Sequence, residues 1–307
     1  MEIEKPLVSV IIPTFNRARD LLRALDSVRA QTMNNWEALV VDNHSTDDTA
    51  KIVDQMRDGR IRLLSVHNDG VIAKSRNVGI KQSRGASIAF LDSDDWWTPD
   101  KLQTSISAFE RGADLVYHDM FRVDRTDQIF FFRKVRTRQV SHPAFKSLML
   151  KGNQIVNSSV VLRRSLIDVV GFIDEGTDHI AWEDFDFWLR IAEKTEKFER
   201  LRGTLGYYWI GGGNTSGPER TLQVLAAIQN TYSAKIARWQ DTPPAWMVFA
   251  KGKAEYAIQR MALAKKEFAS IAWSFENFGI KLKSLVFRAM IFFRGAKMEK
   301  PDREKLR

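Results

Sequence analysis

The first hundred residues alternate short apolar runs with segments of helical period, and this alternation limits the fold more than any other feature of the chain. Residues 7–12 (LVSVII) are apolar and β-branched and are stopped by Pro13, the pattern of a strand buried on both faces. Leu21, Leu22, Leu25 and Val28 follow at helical spacing. A second strand is expected at 36–41, ended by Asp42-Asn43. Ser45-Thr46-Asp47-Asp48 reads as a capping box opening a helix to about Arg57. A third strand at 61–66, a helix at 71–82 closed by Gly85, and a fourth strand at 87–91 complete the series. Thr98-Pro99-Asp100 then reads as the N-cap, first-turn proline and acidic first turn of another helix. Strand–helix alternation of this kind implies an α/β fold with a Rossmann-like, mostly parallel central sheet flanked by helices.

Ligands of such sheets bind beyond the carboxyl ends of the strands. Those ends are Pro13-Thr14, Asp42-Asn43, Asn68-Asp69 and Asp92-Ser93-Asp94-Asp95, so three of the four carry carboxylates. An acidic crevice suits a bound cation better than a bare phosphate. The aspartates of the fourth end repel one another, and a divalent ion with hard oxygen ligands, Mn²⁺ or Mg²⁺, would relieve that repulsion. The plainer alternative is an acidic turn that caps the next helix.

From about Ala113 to Trp209 the pattern is mixed, with strands expected at 115–117, 129–135 and 155–162 and the clearest helix at 182–194. Phe185, Trp188, Leu189 and Ala192 form its buried stripe. Glu183 and Asp184 fall in its first turn, where acidic residues also complement the helix dipole. Asp186 and Arg190 read as an i,i+4 surface pair. Arg76 should lie over the strand ends, facing either a pyrophosphate or base, or the neighbouring aspartates. From Glu219 onward the chain reads as a helical extension, broken at Thr242-Pro243-Pro244.

Hydrophobic residues at 44% and charged residues at 28% exclude a disordered chain. Zero cysteines exclude disulfides, thiolate metal sites and a cysteine nucleophile. No apolar stretch is long enough to span a bilayer, and no secretory signal is read at Met1, so a cytoplasmic protein is expected.

Six segments occur in order: VSVIIPTFNR (8–17), LVVDNHSTD (39–47), AKSRNVG (73–79), IAFLDSDD (88–95), GFIDE (171–175) and WEDFDFWLR (182–190). Together they resemble glycosyltransferase family 2, whose members are inverting enzymes with the GT-A fold. The resemblance implies that Pro13, Thr14 and Asn16 line a nucleotide pocket and that Asp42 hydrogen-bonds the base. Arg76 would contact base or phosphate, Asp92 and Ser93 would lie at the ribose, and Asp95 would support the sugar or metal. Asp94, with Asp92, would hold Mn²⁺ or Mg²⁺. Asp184 would be the catalytic base, with Glu183 beside it near the acceptor. A position near a helix N-terminus would leave Asp184 a weak base. Two departures stand out. Asn43-His44 replaces the commoner Asp-Gly, and no histidine precedes the segment 213–216. The glycines Gly211, Gly212 and Gly213 suggest a loop that closes over the donor.

The resulting expectation is a metal-dependent transferase moving a sugar from a nucleotide-sugar, a UDP-sugar above all, to a saccharide or lipid-linked saccharide. Residues 1–112 would form the nucleotide-sugar half, 113–218 the acceptor and catalytic half, and 219–307 a helical basic region. A nucleotidyltransferase on a related fold and a non-catalytic basic binding protein are the alternatives. The acidic crevice argues against nucleic acid as partner. Residues 251–307 hold 14 Lys and Arg against 6 Asp and Glu, so this segment carries +8 of the net +9. Leu282, Leu285, Val286, Ala289, Met290 and Phe293 form a helical stripe flanked by Lys281, Lys283, Arg288, Arg294 and Lys297. Trp273, Phe275, Phe278, Phe287 and Phe292 add aromatic surface. A basic amphipathic helix of this kind suits the inner face of an anionic membrane. Packing on a second subunit, a homo-oligomer, is the alternative.

Overall fold

The computed structural model describes residues 5–125, 127–211, 217–274 and 277–298, with side chains to residue 292. The chain divides into two compact units, one of residues up to 148 together with 153–213, the other of 149–152 and the residues from 214 onward.

The first unit opens with β1 (Val8–Thr14), α1 (Ala18–Arg29), β2 (Trp36–Asp42), α2 (Thr49–Gln55), β3 (Ile61–Ser65), α3 (Ile72–Gln82) and β4 (Ser87–Phe90). The short β5 (Trp96–Trp97), α4 (Lys101–Glu110), β6 (Leu115–Val123) and β7 (Lys134–Val135) follow. Next come α5 (Ala144–Lys151), β8 (Val161–Arg163), α6 (Arg164–Val170), α7 (Glu183–Ala192) and β9 (Phe198–Trp209). The strands join one sheet in the order β3-β2-β1-β4-β8-β6-β9-β5, with β7 beside β6. The first four strands are mutually parallel. Beyond β4 the sheet is mixed, because β8 runs antiparallel to both β4 and β6.

Every residue of β1, β2 and β4 is buried, as the continuous apolar runs require. Val8, Val10 and Ile12 share a core with Leu21, Ala24, Leu25 and Val28 of α1. Ile11, on the other face, meets α3 at Gly79, where a Cβ would stand 2.5 Å from the Ile11 side chain. Helices therefore cover both faces of the parallel half.

Several boundaries differ from expectation, each for a local reason. Pro13 does not stop β1. Its missing N–H points toward β4, whose pairing with β1 ends at Ile11, so no ladder bond is lost. Ser45 does not cap α2; its N–H and hydroxyl turn back to the Asp42 carboxylate, and the helix begins at Thr49, with Asp47 accepting from the Thr49 N–H at 3.1 Å. Helix α4 begins at Lys101, two residues beyond the expected start. Strand 129–135 shrinks to Lys134–Val135, and 155–162 is broken by a 3-10 turn at Asn157–Ser159. Gly85 does not close α3, whose C-cap is Ser83. Its role is close approach: a Cβ there would lie 2.6 Å from the Ser9 backbone nitrogen.

The second unit contains α8 (Pro218–Ile236), α9 (Ala245–Ala257), α10 (Met261–Ser270) and α11 (Phe278–Met298). Ala264, Phe268 and Ile291 form its core, lined by Phe249, Tyr256 and Phe287. Phe287 stacks on Phe268 at 5.1 Å. The buried face of α11 carries Lys281 and Ser284, and the Lys281 ammonium donates to the Ile271 carbonyl. Lys281 is thus not a flanking surface charge. The apolar stripe lies on the opposite side: Leu282, Leu285, Val286, Ala289 and Met290 are exposed. Phe275 and the side chains of Phe293, Arg294 and Lys297 lie outside the described residues. No helix among the described residues is long and apolar enough to cross a membrane.

The approach at Gly85 is testable. Gly85→Ala should lower the unfolding free energy by about 1–3 kcal/mol in urea titration, the usual cost of overpacking. Gly59→Ala, with nothing within 4 Å of the added carbon, should change it by less than about 0.5 kcal/mol.

Candidate active site

The strand ends gather the sequence-singled residues into one acidic crevice, and a buried arginine organises it. Arg76, on α3, is 4% exposed. Its guanidinium donates to Glu183 Oε1 at 2.7 Å and to Asp92 Oδ1 at 2.9 Å. Burial alone would lower its affinity for the proton, but the charges of Asp92 and Glu183 outweigh that and raise it. Arg76 is thus held between two neighbouring carboxylates. It joins the end of β4 to the first turn of α7.

Two further latches place α7. Asn77, next to Arg76, donates to the Ile173 carbonyl at 2.7 Å and to Glu175 Oε1 at 2.8 Å, and accepts from the Ile173 N–H at 3.0 Å. This holds the GFIDE segment against α3. Arg190 then donates to the carbonyls of Val170 and Phe172 and to Asp186 at 2.8 Å. Asp186 is buried, so the Asp186–Arg190 pair is an internal tie and not the expected surface pair.

Asp92, Asp94 and Asp95 occupy three different environments. Asp92 accepts from Arg76 and from Asn157 Nδ2 at 3.2 Å, while its N–H donates to Ser158 Oγ at 3.1 Å. Asp94 accepts from Arg17 at 2.8 Å; burial, and then the charge of Asp92, push its carboxyl up to about 6. Asp95 points inward, is 2% exposed and accepts the Trp209 N–H at 2.9 Å. Burial, then Asp94 and Asp92, hold it well above the usual carboxylate range. Ser93 is buried between them.

At the head of α7, Asp184 receives Asn153 Nδ2 at 3.3 Å, and its Oδ1 accepts the Phe185 N–H at 2.6 Å. Burial, and then the charge of Glu183, push Asp184 up to about 7. This corrects the expectation of a weak base: desolvation dominates the helix terminus. Glu183 is buried with one oxygen committed to Arg76.

At the end of β1, Pro13 and Thr14 are buried. Asn16 adopts a left-handed conformation with φ 50. Its N–H donates to Ser45 Oγ at 2.8 Å, and its side-chain oxygen accepts the Thr46 N–H at 2.8 Å. Asp42, 8% exposed, binds Ser45 in turn. Asn16 and Asp42 therefore clamp the loops after β1 and β2 together.

Sequence reasoning gave no role to Arg17, Asn153, Asn157, Ser158 or Tyr208. The polar triplet Asn157-Ser158-Ser159 interrupting an apolar run was the available signal for two of them. Tyr208 sits in the field of Asp95, Asp92, Asp94 and Asp184, whose charges add to burial in pushing its hydroxyl up to about 12. It lies at the end of β9, shortly before the stretch where a histidine was sought. The segment 212–216, including Gly212, Gly213 and the sought-for histidine's neighbourhood, lies outside the described residues. Among the described residues no three His, Asp or Glu side chains converge as a metal cage. The donor set still fits a divalent ion held chiefly by phosphates: Asp94 is a hard oxygen donor with 24% of its side chain exposed.

A parallel-then-mixed sheet with this acidic crevice defines a GT-A glycosyltransferase, and comparison with known proteins agrees. The pattern of glycosyl transferase family 2 matches residues 9–171, and the chain belongs to that family. It is 29% identical over 210 residues to the UDP-Glc:alpha-D-GlcNAc-diphosphoundecaprenol beta-1,3-glucosyltransferase WfaP of Escherichia coli, covering 68% of this chain and 80% of that one. It is 32% identical over 187 residues to the UDP-Glc:alpha-D-GlcNAc-diphosphoundecaprenol beta-1,3-glucosyltransferase WfgD of the same species, covering 61% of this chain and 70% of that one. Among solved structures, S. aureus TarS 1-349 in complex with UDP-GlcNAc superimposes with TM-score 0.56 at 19% identity, covering 94% of this chain and 87% of that one. The mannosyltransferase PcManGT of Pyrobaculum calidifontis, in complex with GDP-Man and Mn2+, gives 0.57 at 16%, covering 96% and 86%. These two likenesses establish the fold.

The tuning of Asp184 has a signed consequence for stability. Its folded-state value of about 7 lies above the ordinary 3.8, so its stabilising contribution is complete at low pH and lost as pH rises through about 7. Asn cannot ionise. Thermal melts of Asp184→Asn should therefore show a gain over the parent protein that grows between pH 5 and pH 8.

Proposed function

We propose that this glycosyltransferase is a metal-dependent inverting enzyme that transfers a sugar from a UDP-sugar to a hydroxyl of a lipid-linked saccharide, in the synthesis of a surface glycan. The observation that carries the reading is a pair of differently placed carboxyls. Asp94 lies beyond β4 and Asp184 at the head of α7, joined through Asp92, Arg76 and Glu183. The activities of WfaP and WfgD, UDP-Glc as donor and a diphosphoundecaprenol-linked acceptor, support the substrate classes.

In this reading Asp42 accepts a hydrogen bond from the base, with Pro13, Thr14 and Asn16 lining the pocket. Asp92 and Ser93 face the ribose, and Asp95 braces the turn from beneath. Asp94, with Asp92 behind it, would hold Mn²⁺ or Mg²⁺, which when bound supplies Lewis-acid neutralisation of the donor diphosphate. The acceptor hydroxyl attacks the anomeric carbon from the face opposite the diphosphate. Its proton passes to an Asp184 oxygen while the bond from the anomeric carbon to the phosphate oxygen breaks, and the configuration inverts. A carboxyl at about 7 is well matched to that proton near neutral pH. No second carboxylate nucleophile is required. Glu183 positions Arg76 and raises Asp184 through its charge. Residues 1–112 would serve the donor, 113–218 the acceptor.

The test combines donor binding with turnover. UDP-sugars with Mn²⁺ should raise the melting temperature through linkage, the true donor most. Asp94→Asn should abolish that metal-dependent shift. Asp184→Asn should keep it while lowering turnover by about 10²-fold or more, and the pH profile of kcat/KM should rise through about 7 in the parent. Full turnover of both variants would refute the assignments. A shift with nucleoside triphosphates and none with nucleotide-sugars would favour a nucleotidyltransferase.

The exposed face of α11 supports attachment to an anionic membrane at the cytoplasmic side. Leu282 is 51% exposed, Val286 56% and Met290 45%, with Trp273, Phe278 and Phe292 also exposed. Such a face suits the interfacial plane of a bilayer. Replacing Leu282, Val286 and Met290 by Ser leaves the buried face intact and should reduce sedimentation with anionic vesicles. Unchanged sedimentation with loss of a dimer in light scattering would assign the face to a homo-oligomer.

A further inference from the structure

The connection between β6 and β7 exposes apolar side chains that neither the fold nor the catalytic reading uses. Ile129 is 76% exposed, Phe130 66% and Phe132 84%. Single exposed apolar residues are ordinary, but three within four positions form a patch that needs a reason. The rings of Phe130 and Phe132 stack on each other at 6.0 Å. Between them Phe131 turns inward, 4.9 Å from Tyr207 and 5.8 Å from Phe121. Tyr207 in turn stacks on Trp96 at 5.0 Å. Trp96 directly follows Asp95, and Tyr207 directly precedes Tyr208. The inward ring therefore anchors the segment to an aromatic stack beginning at the catalytic turn, and its two neighbours are held outward.

The base of the segment is fixed as well. Arg122 N–H donates to the Arg133 carbonyl at 2.8 Å, and Phe121 pairs with Lys134. Arg133, Lys134 and Arg136 are exposed beside the aromatic tip. Aromatic rings that sit at headgroup depth, next to cations that meet anionic headgroups, are the chemistry of an interfacial anchor.

We propose that residues 129–136 are a membrane-contact element of the catalytic unit. Phe130 and Phe132 enter the headgroup region of an anionic bilayer, and Arg133, Lys134 and Arg136 bind its phosphates. The charge of the flanks selects an anionic lipid surface over an apolar protein groove. This element is separate from the α11 face and belongs to the unit that carries the site. It rests on the proposed lipid-linked acceptor only for its purpose, which is to bring the crevice to the surface that holds such an acceptor. Its test needs no donor.

The absence of cysteine makes a site-specific test direct. In the full chain, Phe132→Cys is labelled with an environment-sensitive fluorophore. Glu110→Cys, exposed near the opposite end of β6, is the control. Vesicles of phosphatidylcholine with phosphatidylglycerol should blue-shift and brighten the label at 132 and leave that at 110 unchanged. Pure phosphatidylcholine or 0.5 M salt, a Debye length of about 4 Å, should suppress the shift. Arg133→Gln with Lys134→Gln and Arg136→Gln should weaken vesicle affinity about a hundredfold, given roughly fivefold per basic residue. Three results would overturn the proposal. The label at 132 stays unchanged while the chain sediments with vesicles. The intact chain fails to sediment at low salt. The shift follows protein concentration without vesicles, which would make the tip a contact between copies of the chain. Sugar transfer to a water-soluble acceptor should survive the triple Gln change, so a failed anchor and a failed transferase reading give different results.

Discussion

The guanidinium of Arg76, buried between Asp92 and Glu183, is the interaction on which the rest of the site depends. It ties the parallel half of the sheet to the first turn of α7 with charge on both sides. Desolvating these groups is costly, and only close hydrogen bonds to both carboxylates offset it. Removing one partner of such an arrangement costs about 3–5 kcal/mol because the others stay buried and uncompensated. Asn77, one residue on, adds an uncharged clamp on the same helix. Together they fix where Asp184 stands relative to the aspartates beyond β4.

That placement explains why four aspartates in one crevice differ in chemistry. Asp92 is spoken for by Arg76 and Asn157. Asp95 is turned into the protein and accepts from β9. Asp94 and Asp184 have raised values, about 6 and about 7, since burial favours the neutral acid and neighbouring carboxylates reinforce it. Arg17 bonds to Asp94 without cancelling that rise. An acid that yields its proton near neutrality takes one up near neutrality too, which is the property a base for a sugar hydroxyl needs. The field of the same carboxylates reaches Tyr208.

The two units solve different packing problems. In the first unit, Gly85 lets backbone approach backbone, and Gly79 lets α3 seat directly on the side chains of Ile11 and Val41. In the helical unit, Gly252 does the same beneath Phe268, where a Cβ would be 2.7 Å away. There the most apolar side of α11 faces outward, while a lysine and a serine face inward and find backbone acceptors. An apolar outer face and a basic surround are compatible with an interfacial environment and costly in bulk water.

The sequence by itself determined the parallel half of the fold. Its buried strands are continuous apolar runs, and its helices repeat at 3–4 residues, so both periods are written locally. It also pointed to the candidate site, because the carboxylates fall at strand ends and six short segments keep a family's order. Asp184, Asp92 and Asp94 were legible as candidates for that reason. What the tertiary structure decided is partnership. That Arg76 meets Glu183, 107 positions away, and that Asn77 holds residues 173–175, depend on contacts no local period encodes. The basicity of Asp184 was misjudged from sequence because a helix terminus is a local property, whereas burial depends on everything packed around it. The same holds for α11: its stripe was visible in the sequence, but a stripe says only that one side is apolar. Which side meets the protein was settled by the fit of Phe287 and Ile291 against Phe268, and by a buried lysine finding its carbonyls.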